Sequence, residues 1–508
     1  MSYIPERSPD AKFRTLIVLL DGTGDSVDED VTNIVMLKNM LYGCEKKDDK
    51  QMRGIGSAMD GYDPSFDDEK AHPWQSWANR MWDQAFATGF GERVITPYRW
   101  LAQNYRDGDK ICIFGFSRGA YTARVLAGMI NGVGLLPSDK GKDAEVRKAF
   151  DLYDNFADLP HLDTDEVKRE KAWIELQEKF ENFKLENKCR EAFVEFLGCW
   201  DTVNSVGIAR AIKLGFTRTN DIVRTFRHAI ALDEHRVKFK QSNWSGPPKE
   251  VPDSADRPHS KKPRVQTDVE EVWFAGCHCD IGGGSVANGT RPNLAHISLR
   301  WMIRECFRKN SGMIFDSEHI KIIGIEPSSI YPIVKPRPEI SSFSSGSSKI
   351  PVVEPQTWGA YLYSWVPFIS KTETKSSKLE VPKKSEEELD ADDALAPAFD
   401  QLALKSGKWN WMENMSMTKE KLSKDGRWIE VEEKHLGHGR TIPPHYYSHG
   451  GKIKVHRTVG LRMQGKFANG KEKGTKYVPK AKVGYQEKFD DKTSFEEAVQ
   501  KGWIQWVA

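Results

Sequence analysis

Five consecutive residues carry the sharpest chemical signal in the chain: Gly115-Phe116-Ser117-Arg118-Gly119. A serine with a glycine two residues away on each side marks a tight strand-to-helix turn. The small neighbours let two backbones meet, and the hydroxyl is lifted into a cleft. Residues 111–115 form an apolar run suited to a buried strand, and Tyr121, Val125, Leu126, Met129 and Ile130 recur behind it at helical spacing. Such a serine attacks a carbonyl carbon when a base takes its proton and an acid orients that base. The chain order that this turn requires is serine, then aspartate or glutamate, then histidine. Asp201 follows the apolar run 196–200 and His278 follows the run 271–275. Each thus falls at the carboxyl end of an expected strand, where the functional groups of parallel sheets collect. Asp233 and Asp280 compete for the acid's place, and His228, His235 and His296 for the base's. His296 lies within a helical pattern and reads as structural.

A negatively charged oxygen formed by that attack needs donors. The amide of Arg118 follows the serine and is one of them. A second is expected from Gly22 or Thr23, in the loop Asp21-Gly22-Thr23-Gly24 after the apolar run 15–20. That loop also invites comparison with aspartyl phosphatases, but the nucleophile's position there is Leu19, which cannot form a phosphoenzyme. Cys277-His278-Cys279-Asp280 raises a metal site as an alternative. Read as extended chain, its alternate residues face opposite ways, and no second cluster has zinc-like spacing. Neither metal nor cofactor is therefore expected.

The elements that must position these groups alternate along the chain. Strands are expected at 15–20, 111–115, 193–198, 222–226 and 271–275, with helices at 32–41 and 294–307 and a charged helical insertion over 140–188. This is the pattern of an α/β fold: a mostly parallel sheet with helices on both faces, in the manner of an α/β-hydrolase with helical insertions. A catalytic domain is expected over 10–335. Residues 336–508 form an extension, packed on it as a cap or lid. Segments 249–266 and 341–348 are rich in Pro and charge or in Ser and Gly, and read as flexible connections. Trp358 and Trp365 belong to an aromatic segment, 358–369, expected to cover the cleft or meet a lipid interface and so to touch substrate. Ordinary packing is the competing explanation for those rings.

Lys+Arg 75 against Asp+Glu 73 leaves no basic excess for a nucleic-acid partner. The 7 cysteines are odd in number and scattered, which points to a reducing compartment without a disulfide framework. Residues 1–14 are polar, without the apolar core of a secretory signal, and no apolar run is long enough to span a bilayer. A cytoplasmic protein is expected, with peripheral contact to a membrane surface left open.

Several blocks together resemble a known family. In order they are Asp21-Gly22-Thr23, Thr32-Asn33-Ile34, Gly54-Ile55-Gly56 and residues 115–124. Trp200-Asp201-Thr202-Val203-Asn204, Arg227-His228-Ala229 and Gly276-Cys277-His278-Cys279-Asp280 follow. They are similar to the α/β-hydrolase domain family that includes the phospholipase effectors of bacterial type VI secretion, over roughly residues 12–306. The resemblance implies Ser117, Asp201 and His278 as a catalytic triad and an ester, lipid or phospholipid, as substrate. Parts of 393–463, among them His438-Gly439-Arg440-Thr441-Ile442-Pro443, are similar to the tails of fungal relatives. The alternative, from a different class, is a catalytically silent member serving as an interaction module.

Overall fold

The computed structural model describes residues 3–6, 13–22, 31–42, 55–56, 85–155, 166–203, 220–237, 239–244, 265–286, 289–338, 352–353, 381–404, 413–414, 416–422, 428–442, 451–467, 474–484 and 492–508. Its centre is a sheet of eight strands. These are β1 (Thr15–Leu20), β2 (Ile55–Gly56), β3 (Lys110–Phe116), β4 (Val194–Trp200), β5 (Val223–Ala231), β6 (Asp268–Phe274), β7 (Ile453–His456) and β8 (Ile504–Val507). They lie in the order β8-β7-β6-β5-β4-β3-β1-β2, and each neighbouring pair is parallel.

Continuous apolar runs become strands here because both faces of the sheet are covered. In β1, Leu16, Val18 and Leu20 enter one core, while Ile17 and Leu19 enter the other. The first core is shared with α2 (Ala85–Asn104) and α3 (Arg118–Val133), and the second with α1 (Asn33–Met40) and α7 (Ala295–Arg308). Thr32 caps α1 by accepting from the amide of Val35 at 3.4 Å. The charged stretch expected as an insertion forms α4 (Asp143–Asp154) and α5 (Glu166–Asn187), which bury Val146, Phe150, Tyr153, Leu176 and Phe180 against the first core.

Two sequence expectations need correction. β5 runs to Ala231, well past the expected end at 226. Charged residues inside it obscured the pattern, and they are tolerated because each is answered: Arg227 pairs with Glu305 at 2.7 Å and His228 with Glu271 at 2.8 Å. Residues 278–282 are not extended chain but a short helix, α6 (His278–Gly282), with a capping box between Cys277 and Asp280.

From β1 the chain moves outward to β2, and from β3 it proceeds through β4, β5 and β6 on the other side. Neighbouring strands whose connections leave in opposite directions open a crevice at their carboxyl ends. Asp21 and Gly22 follow β1 and Ser117 follows β3, so both line that crevice.

Of the extension expected over 336–508, the described parts add two strands to the sheet. β7 pairs with β6 through Val455 and Trp273, and β8 pairs with β7 from Ile453 and Ile504 onward. Ile230, Trp273, Val455, Val459 and Ile504 share one core. Helix α8 (Glu386–Ala394) is tied to α7 by Arg300, whose guanidinium lies 2.6 Å from both Asp390 and Asp393, and by Arg304, at 2.6 Å from Glu386. These charges are buried. Such pairs specify one docking geometry more than they add net stability. The segment carrying Trp358 and Trp365 lies outside the described residues.

If the late strands belong to the same cooperative unit, Ile453→Ala destabilises the whole molecule, because Ile453 is fully buried between β6 and β8. Denaturation should lose about 2–5 kcal/mol for this deletion, with near- and far-UV signals still moving together. A separate early transition confined to the tail would show that residues 453–507 fold apart from the sheet.

Candidate active site

The turn after β3 is strained. Ser117 has φ 59 and ψ −124, a conformation costing a residue with a side chain about 1–3 kcal/mol. Its surroundings hold it there: the Ser117 amide donates to the Trp200 carbonyl at 3.0 Å, and the Tyr121 amide to the Ser117 carbonyl at 3.3 Å. The flanking glycines are sterically required. A Cβ on Gly119 would lie 2.2 Å from the Leu20 carbonyl oxygen, and one on Gly115 would lie 2.5 Å from Ala120 Cα. Helix α3 starts at Arg118, so its first amides point toward the crevice.

Asp201 follows β4 with φ 41 and no exposure to water. His278 opens α6, beyond β6. Its Nδ1 lies 2.6 Å from Asp201 Oδ2 and its Nε2 lies 2.7 Å from Ser117 Oγ. Three residues spread over 161 positions of the chain thus form one line of hydrogen bonds. The imidazole is also held from its sides, by the Phe116 ring at 4.7 Å and the Phe239 ring at 4.9 Å. A Cβ on Gly282 would lie 2.0 Å from the Phe116 ring, so this position of α6 has no room for a side chain.

Burial raises the pKa of Asp201, but the charge of Arg440 and the hydrogen bonds from His278 and Arg440 outweigh it and hold its carboxyl well below the usual range. An ionised carboxylate only accepts, so His278 must donate from Nδ1. Its Nε2 lone pair then faces the Ser117 hydroxyl. Burial lowers the pKa of His278 and favours this neutral form, against the opposing pull of Asp201. A neutral imidazole in hydrogen-bond contact with a serine hydroxyl can accept its proton as the oxygen attacks an electrophile.

The competing residues lie elsewhere. Asp233 accepts from Gly276, Tyr477 and Lys480, and Asp280 from Cys277 and Phe399; neither is bonded to the imidazole of His278. His228 bonds Glu271 and accepts from the Thr202 amide, and His235 bonds Asp400. The sulfurs of Cys277 and Cys279 diverge, one toward the Asp233 carbonyl and the other toward Gln401. Among the described residues no group of three potential ligands could hold a metal ion.

Gly22 packs beside the serine: a Cβ on it would lie 3.5 Å from Ser117 Cβ. Its amide donates to Asp21 Oδ1 at 2.7 Å, and Thr32 donates to Asp21 Oδ2 at 2.6 Å. Burial raises the Asp21 pKa to about 6 despite these two bonds. Thr23, the other expected donor, lies outside the described residues, as do Trp358 and Trp365.

Two groups beside the site escaped the sequence reading. Glu234 accepts from the His278 amide at 3.2 Å and is paired with Arg236 at 2.7 Å, anchoring the start of α6. Arg440 forms two hydrogen bonds to Asp201 from 239 residues downstream. Its only sequence signal is that it falls within the block resembling fungal tails.

The model of the family described as "T6SS, Phospholipase effector Tle1-like, catalytic domain" matches residues 14–305, more than half of the chain. An uncharacterised protein of Saccharomyces cerevisiae is 34% identical over 232 residues, covering 45% of this chain and 32% of the yeast protein. The chain therefore aligns with about a third of that relative's length. Among solved structures, an uncharacterised Pseudomonas aeruginosa protein is similar at 15% identity and a TM-score of 0.30, over 59% of this chain and 46% of that one. A Tle1 effector, solved bound to the VgrG spike of the type 6 secretion system, is similar at 16% identity and a TM-score of 0.26, over 54% of this chain and 51% of that one.

The electrostatics of His278 make a prediction that needs no substrate. Its ring should titrate below the ordinary 6.5, because burial favours the neutral form. Histidine-selective NMR on the protein and on His278→Gln would assign the resonance, and a midpoint above 6.5 would mean that pairing with Asp201 outweighs burial.

Proposed function

The chain belongs to the T6SS phospholipase effector Tle1-like family, and from that premise we propose that it is a serine hydrolase of carboxylic esters, lipid or phospholipid. The observation that carries the reading is the hydrogen-bonded line Ser117–His278–Asp201 at the switch point of the sheet.

In this mechanism the Ser117 oxygen bonds to the ester carbonyl carbon while His278 Nε2 takes the hydroxyl proton. Asp201 holds the imidazole in its Nδ1–H tautomer and stabilises the imidazolium that forms. The carbonyl oxygen becomes an oxyanion, received by the amide of Arg118 at the start of α3. The amide of Gly22 is the second donor once it gives up Asp21 Oδ1, with Thr23 in the same loop as the other candidate. Collapse expels the alcohol, which takes its proton from His278, and leaves an acyl-serine. Water then attacks the acyl carbon, giving its proton to His278, and the second collapse returns that proton to Ser117 with release of the fatty acid. The residues in these roles need no cofactor.

A lipid substrate adds an interface. Trp358 and Trp365 are proposed as the substrate-facing surface of the tail, in a cytoplasmic protein that touches the membrane peripherally.

A fluorophosphonate probe tests the nucleophile. Labelling should occur on wild type and vanish in Ser117→Ala, with ester turnover down by about 10⁶-fold; Asp201→Asn should lose about 10⁴-fold. Wild-type turnover in a verified Ser117→Ala protein would end the serine mechanism, and an unlabelled, inactive wild type would favour the silent interaction module. The lipid arm is independent. Trp358→Ala and Trp365→Ala should slow hydrolysis of phospholipid vesicles more than of a short soluble ester, and equal effects on both would reduce these rings to scaffolding.

A further inference from the structure

We propose that Arg440, carried by the C-terminal tail and outside the matched family region, is a positioning residue for the reaction, locking the Asp201 carboxylate in the plane from which it orients His278. The inference rests on the serine-hydrolase reading and extends it to a residue that neither the motifs nor the family boundary assigns.

The geometry is that of a fork on a carboxylate. Arg440 Nη1 lies 2.5 Å from Asp201 Oδ1, and Nη2 lies 2.9 Å from Oδ2. The remaining donors are spent on backbone: Nη1 reaches the Ala231 carbonyl at 3.2 Å, and Nε and Nη2 reach the Phe239 carbonyl at 3.1 and 2.7 Å. The guanidinium therefore spans the end of β5, the turn that presents Phe239 and the acid itself. Asp201 Oδ1 also accepts the Ala231 amide at 2.9 Å, which leaves Oδ2 shared between Arg440 and His278. Two bonds to a planar fork fix the rotation of the carboxylate, and so the direction in which Oδ2 meets the imidazole. A lysine, as a point charge, cannot fix that plane.

The tail is shaped to deliver this side chain. Gly439 lies against the backbone of Lys480, where a Cβ would come within 2.1 Å of the carbonyl oxygen. The Lys482 amide donates to the Arg440 carbonyl at 2.9 Å, and Thr441 pairs in parallel with Lys482. Arg440 is thus clamped on both sides by backbone and is itself buried.

Its charge has a second consequence. A carboxylate without access to water carries a large desolvation cost, which a buried cation offsets. The same cation weakens the negative field that Asp201 exerts on His278 and so favours the neutral base. The other charged groups facing His278 are Glu234 and Arg236, a pair in direct contact that stays unchanged in the test variants.

The test uses the full chain, a short soluble ester over a range of pH, and fluorophosphonate labelling of Ser117. Arg440→Gln should lower kcat by about 10- to 100-fold through misorientation, with KM little changed. It should also move the acid limb of the kcat/KM profile upward in pH, since loss of a nearby cation makes His278 more basic. Arg440→Lys keeps the charge and loses the fork, so kcat falls while the limb stays; it remains readable if Arg440→Gln does not fold by circular dichroism. In an Asp201→Asn background Arg440→Gln should cause no further loss, because its effect passes through the carboxylate. Wild-type kcat and limb in both Arg440 variants would overturn the proposal. So would an equal loss in the Asp201→Asn background, which would leave Arg440 a structural tie. If wild-type Ser117 resists the probe, the serine-hydrolase reading fails first; labelled wild type with indifferent Arg440 variants defeats this inference alone.

Discussion

A carboxylate with no access to water organises the centre of this molecule. Asp201 can remain ionised only if every lone pair that matters is answered by a donor fixed in advance. Those donors come from the end of β5, from α6 and from the distant tail. Each of these segments must arrive in register for the charge to be tolerable, so the folding of some 240 intervening residues is coupled to one side chain. The imidazole inherits its tautomer from that arrangement, and the serine inherits its hydrogen-bond acceptor. Removing the Arg440 guanidinium would leave that buried charge without its counter-ion, and this ties local chemistry to global stability.

The sheet supplies the rigidity that such a site requires. Parallel strands covered on both faces deliver their carboxyl ends to one edge, and Ser117, Asp201 and the turn before His278 all leave the sheet there. The strain at Ser117 is held by packing that cannot relax, since backbone lies within contact of Gly115 and Gly119. The described parts of the tail extend the same layer through β7 and β8. The segment that carries Arg440 pairs instead in a separate small sheet, through Thr441 and Lys482, and meets the central sheet through the Ala481 amide on the Leu232 carbonyl and through the bonds of Arg440 itself.

Much of this was legible from residue order. Apolar runs such as 15–20 and 111–115 identify buried strands because both of their faces are hydrophobic, and the helix spacing behind Ser117 identifies α3. Elements that violate such patterns were harder to see. Helix α2 carries Gly91 and Pro97, which break a helical pattern locally, yet tertiary burial of Val94, Tyr98 and Leu101 sustains it. The late part of β5 hid behind Arg227 and His228, whose partners Glu305 and Glu271 lie on other elements.

Sequence alone determined the residue types at strand ends, and with them an α/β sheet whose loops carry a serine, an aspartate and a histidine in a workable order. Local pattern suffices for that, because periodicity and turn chemistry act between near neighbours. Local pattern alone left three aspartates in competition, of which the family resemblance favoured Asp201, and it could not say that residues 278–282 would turn into helix or that an arginine far along the chain would grip the acid. Those outcomes depend on desolvated charges finding partners across long sequence separations. Only the packed structure decides them, because a charge acquires a partner it cannot do without only after water has been excluded.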